Sequence, residues 1–194
     1  LQNINYDMSY KRLKKELVET FNLNSTTAFE RFINQKIYKL ISPANFTLPK
    51  INFKKLINKY QPKIIWIIYI GLLPDISSLP LTKIEKKIVE DYKNLQNKVF
   101  NSDFQTYKNF KDINIESIIM FSTKEPEIVN HYLENLRQIK LEITGKDLVK
   151  LGIEPCNEYQ KCFDYILKEK IKNPQIKKFE EIQLAKKYFK IPIA

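Results

Sequence analysis

Glycine is nearly missing from this chain. Three occur in 194 residues: Gly71, Gly145 and Gly152. Sheets and barrels rely on glycine in turns and bulges, so the shortage points to helices joined by short polar connections. Histidine is rarer still, with His131 alone. That excludes a multi-histidine metal centre, the HD type of phosphohydrolase included. Two cysteines, Cys156 and Cys162, cannot build a structural zinc site by themselves. Their spacing on an expected helix turns them to different faces, as free thiols of an intracellular protein. The longest apolar run, IIWIIYIGLL at Ile64–Leu73, is about half of a membrane span and predicts a buried core helix. No P-loop or dinucleotide fingerprint occurs.

The opening stretch LQNINYDMSYKRLKKEL is polar and charged, so no signal peptide and a cytoplasmic location are expected. A start at Leu1 rather than Met predicts a fragment of something longer.

What is present is a chain able to bury a sizeable core, 43% hydrophobic and 12% aromatic, in one large domain or two small ones. Its net charge is +11. Charge of that sign favours an anionic partner such as nucleic acid. Apolar spacing predicts helices over Tyr6–Phe21 (Met8, Leu13, Leu17, Phe21), from Ser25 (Phe29, Phe32, Ile33), and over Ile51–Tyr60 and Lys63–Leu73. Thr82 and Glu85 have capping-box spacing for a long helix over Leu81–Asn101, with Ile84, Ile88, Leu95 and Val99 as its stripe. Phe104–Phe110, Ile113–Phe121, Glu125–Ile139, Glu158–Ile171 and Lys177–Tyr188 complete the set. The expected fold is all-α: an elongated array of about ten helices, a helical body followed by a small helical tail.

Two of the three glycines fall within LEITGKDLVKLGIEP, Leu141–Pro155. Thr144 is an N-cap candidate, Gly145–Lys146–Asp147–Leu148 opens a short helix, and Gly152 closes it. Glycine lets a ligand approach the backbone, exposed N–H groups suit a phosphate, and Lys146 adds charge. The alternative is a helix corner with ordinary caps. Eleven lysines face eight acids between Leu141 and Ala194. Lys161, Lys168 and Lys172 share a helix face, and Lys177, Lys178, Lys186, Lys187 and Lys190 cluster on the last helix. Singly each suits a solvated face; as a set they suit a nucleic-acid backbone.

The segment Leu141–Tyr188 resembles the tail of the class II tRNA nucleotidyltransferase and bacterial poly(A) polymerase family. The likeness is carried by Ile143, Gly145, Lys146, Asp147, Leu148, Leu151, Gly152, Ile153, Pro155, Ile166, Leu167, Glu180, Glu181, Leu184 and Ala185. Cys156 stands where that family has glycine, so the second turn departs from the pattern. SYKRLKKEL (Ser9–Leu17) is similar to its neck segment, and TTAFERFINQKIYKLISP (Thr26–Pro43) is similar to the stretch that follows.

The resemblance implies neck helices over 1–44, a helical body over 45–140 and an RNA-binding tail over 141–194. It implies tRNA contacts at Gly145, Lys146, Asp147, Lys161, Lys168, Lys172, Lys186 and Lys187. It also implies support of nucleotide selection by Arg12 and Glu16, whose spacing equally fits a surface ion pair. The family's catalytic head has a Gly-Ser signature and paired metal-binding aspartates. No glycine here precedes serine and no Asp-x-Asp occurs. The expected partners are therefore tRNA and a catalytic head outside this chain, with no membrane partner. Magnesium and ATP or CTP are implied for that head, and no catalytic residue or cofactor for this chain. The competing expectation is an all-helical protein-interaction or oligomerisation module with a basic surface.

Overall fold

The computed structural model describes residues 9–50 and 53–191. Within them the chain is all-helical, with eleven α-helices and no strand. Met8 and Ile51, placed in expected helices, lie outside the described residues. The helices fall into two units: one holds residues up to Val99 together with Asp112–Asn130, the other Phe100–Lys111 and the chain from His131 onward.

The first unit contains α1 (Tyr10–Phe21), α2 (Thr26–Asn34), α3 (Phe53–Tyr60), α4 (Ile65–Ile70), α5 (Lys83–Leu95) and α7 (Ile115–Phe121). Ile37–Leu40 forms a single 3₁₀ turn. Side-chain caps set the helix starts. The Ser9 hydroxyl accepts the Arg12 N–H at 3.3 Å, and the Ser25 hydroxyl accepts the Ala28 N–H at 3.1 Å. Thr82 and Glu85 form the anticipated capping box.

The centre of this unit is α4, whose residues Trp66–Ile70 are all buried. Against Tyr69 pack the rings of Phe21, Phe29 and Phe53, with centroids 5.4–5.7 Å away. Its hydroxyl donates to Asn24 at 2.7 Å. Gly71 is required by packing: a Cβ there would lie 2.7 Å from the Met120 methyl and 2.7 Å from the Ile67 carbonyl oxygen. The α5 stripe differs from expectation at its ends. Ile88, Val89, Tyr92 and Leu95 are buried, whereas Ile84 and Val99 are 60% and 65% exposed. Ile84 sits in the first turn and Val99 lies past the helix end at Leu95, so neither reaches the core.

The second unit contains α6 (Asp103–Phe110), α9 (Gly145–Lys150), α10 (Glu158–Lys172) and α11 (Lys178–Tyr188). The helix expected over Glu125–Ile139 is not continuous. It is α8 (Pro126–His131), running from one unit into the other, followed by a π turn over Tyr132–Leu136. There the Arg137 N–H reaches back five residues to the Tyr132 carbonyl at 2.8 Å. The wider turn buries Tyr132, Leu133 and Leu136 together, and the Tyr132 ring meets Phe110 at 4.9 Å. A small core of Ile143, Leu148, Cys162, Ile166 and Ala185 joins α9, α10 and α11.

Candidate nucleic-acid interface

The segment that raised the functional question packs through the motif residues themselves. Ile143, Leu148, Ile166 and Ala185 are between 0 and 4% exposed and form most of the small core. The extended chain before α9 is held from the side by Glu181. One carboxylate oxygen of this wholly buried residue accepts the N–H of Glu142 at 2.8 Å and of Ile143 at 2.6 Å. The other oxygen takes the Lys170 ammonium at 2.6 Å. Lys170 also reaches Glu142 at 3.3 Å. Burial alone would lower the Lys170 pKa, but Glu181 and Glu142 hold it above the ordinary lysine value, so Lys170 stays charged at neutral pH.

Lys170 and Glu181 were not singled out as a pair in the sequence. A signal existed: Cys162, Ile166 and Lys170 follow one another at four-residue steps along the buried stripe of α10. A lysine on such a stripe must find a buried acid.

At α9 the cap differs in detail from a simple threonine cap. Asp147 accepts both the N–H of Thr144 at 2.8 Å and its hydroxyl at 2.7 Å, and pairs with Lys178 at 3.0 Å. The Thr144 hydroxyl, Lys178 and the Thr144 amide pull the Asp147 pKa down to about 2. Asp147 thus ties the first turn of α9 to the start of α11, and its carboxylate occupies the positive end of the helix. An incoming phosphate there would meet this anion.

Gly145 is half-buried and Lys146 is exposed. Nothing in the fold demands glycine at 145. A Cβ would lie 3.6 Å from the Tyr159 ring, an ordinary contact. Gly152 does have a local reason, a positive φ of 79° at the end of α9.

Among the described residues, Lys146, Lys168, Lys186 and Lys187 have no carboxylate partner; all but the half-buried Lys186 are exposed. Lys168 stands 4.7 Å over the Phe104 ring, a pairing of charge and aromatic face not foreseen from sequence. Lys161 and Lys172 spend their charge on neighbouring glutamates, Glu158 at 2.6 Å and Glu169 at 2.8 Å. Arg12 and Glu16 are exposed on α1 in the other unit, and no ion pair joins them.

No protein-family model, curated protein or solved structure matches this chain. The site therefore rests on its own residues. Cys156 lies in the exposed turn before α10, not on the helix as expected, because α10 begins only at Glu158. Cys162 is buried, and burial pushes its thiol up to about 11. His131 is exposed and bonds Asp103 at 3.0 Å. Among the described residues no group of His, Cys, Asp or Glu could hold a metal ion, and no helix is long and apolar enough to cross a membrane.

Proposed function

We propose that this chain is the RNA-holding part of a tRNA 3′-end nucleotidyltransferase, with nucleotide addition carried out by a catalytic head outside it. The observation that carries this reading is Gly145–Lys146. The glycine has no internal reason to be there, and beside it stands a lysine that is exposed and has no acid partner. A residue without a side chain next to a free cation suits close approach of an RNA backbone. Lys168, Lys186 and Lys187 add positive charge in the same unit, while the motif's apolar residues and Glu181 build the scaffold beneath.

Recognition on this basis is by charge and shape rather than by base sequence. Asp147, Lys161 and Lys172 have structural or local partners and contribute less than the four unpaired lysines. The magnesium ion and ATP or CTP that the resemblance implies belong with the head. Among the described residues no cluster of acids fits a metal ion.

The test is a gel-shift titration of tRNA over a range of salt. Affinity should fall steeply with salt, and Lys146→Glu with Lys187→Glu should weaken binding by about tenfold or more while the helical signal stays unchanged. Binding that ignores salt, or no binding to any RNA, would overturn the reading. Gly145→Val tests the backbone approach separately: it should weaken binding without loss of stability.

A further inference from the structure

The first unit contains a cavity of about 460 Å³ that the tail reading does not use. Its described lining residues include Lys50, Lys55, Lys124 and Asn130, and no aspartate or glutamate. Lys124 also lines a second cavity of about 250 Å³ together with Lys93, and no acid is among its described lining residues. In a chain where lysines such as Lys14, Lys87 and Lys108 find carboxylates, a basic hollow with no acid among its described lining residues stands out. None of Lys50, Lys55 and Lys124 has an acid partner among the described residues, and all three are exposed at the rim.

The donors are cationic, not hydroxylic. Ser122 and Thr123 line the first cavity, but their hydroxyls donate to the Ile119 and Met120 carbonyls at 2.6 and 2.8 Å. That leaves Lys50, Lys55, Lys124 and Asn130 as the lining residues able to donate to an anion. Leu56 and Pro126 supply an apolar wall.

The volume falls in the range of small-ligand sites. Several point charges round one hollow suit a ligand with several adjacent negative charges better than a single carboxylate. We propose that this cavity of the first unit binds an oligophosphate, meaning consecutive phosphates of either a free nucleotide or a single RNA strand. The inference goes beyond the tail contact and does not depend on it.

The experiment measures binding of tripolyphosphate, ATP and a short single-stranded RNA to the full chain. The variants are Lys55→Glu with Lys124→Glu, the same pair changed to Gln, and a charge-matched control, Lys83→Glu with Lys86→Glu. Melting curves confirm folding of each. The proposal expects about tenfold or greater loss in the cavity variants and little change in the control. Tighter binding of ATP or tripolyphosphate than of RNA identifies a free nucleotide as the source, and the reverse identifies a strand. Equal losses in cavity and control variants would show general charge attraction and overturn the site, as would no binding of any probe. Lys146→Glu with Lys187→Glu keeps the two readings apart: it should weaken tRNA binding and leave tripolyphosphate binding intact. If the tail variant abolishes tripolyphosphate binding and the cavity variant does not, the cavity proposal fails while the tail reading stands.

Discussion

The two units use the same device with different support. In the first, buried Glu116 accepts the N–H groups of Lys63 at 2.8 Å and Ile64 at 3.2 Å, at the entry to α4. In the second, Glu181 accepts those of Glu142 and Ile143, at the entry to α9. Each glutamate satisfies two amides that a helix start leaves open or a loop would bury unpaired. Only Glu181 is also matched by a buried lysine. Glu116 lies beside a large core of aromatic and aliphatic side chains and keeps slight exposure at 5%, whereas Glu181 is fully buried. A small unit that seals a carboxylate completely must neutralise it; a larger one can hold a carboxylate near its edge with amides alone.

This difference predicts unequal costs. Glu181→Ala leaves buried Lys170 with only the half-exposed Glu142 at 3.3 Å and two amides unpaired, and should destabilise the second unit by about 3–5 kcal/mol in denaturant unfolding. Changing Lys170→Met and Glu181→Gln together should recover most of that, because the glutamine carbonyl still accepts the amides and no charge remains. A double variant as unstable as Glu181→Ala would mean that the ion pair is not the reason for the cost.

Glu116→Ala removes the same two kinds of hydrogen bond without leaving a buried cation. The expected cost is smaller, about 1–3 kcal/mol. Equal losses for Glu116→Ala and Glu181→Ala would break the comparison. Gly71→Ala should cost about 1–3 kcal/mol by overpacking against Met120, and only in the first unit. Cysteine labelling assigns such losses to a unit. Cys156 should react with an alkylating reagent in the native state, whereas Cys162, buried and with its thiol near 11, should react only when the second unit opens.

The smallest effect concerns acid. Asp147 has its pKa lowered from 3.8 to about 2 in the fold. A depressed carboxylate contributes stability that is complete above its unfolded value and is lost as pH falls through the folded one. The Thr144 and Lys178 contacts should therefore persist down to pH 3.8 and fade towards about 2. Carboxyl titration by NMR checks this, and Asp147→Asn should abolish the step. A titration midpoint at the ordinary aspartate value would show that the cap is not formed in solution.

Much of the architecture could be read along the chain because it depends on local chemistry. Ser9, Ser25 and Thr82 cap where their side-chain oxygens meet the first free amides, and the Ile64–Leu73 run is buried because it has no polar face. What Gly145 and Glu181 touch was not legible, because their partners lie on other segments of the chain. The Ile84 and Val99 misplacements arose because periodicity continues past the points where α5 leaves the core.

From the sequence alone follow the helical class, the caps, the excess of positive charge and the start and stop of α9, since each depends on residues within a few positions of one another. Only the tertiary structure decided which lysines are spent on acids and which are not, that Gly71 is needed for packing while Gly145 is not, and that Lys50, Lys55 and Lys124 line one hollow. Those outcomes depend on groups far apart in the chain, where charge and volume are settled by which neighbours the fold brings within a few ångströms.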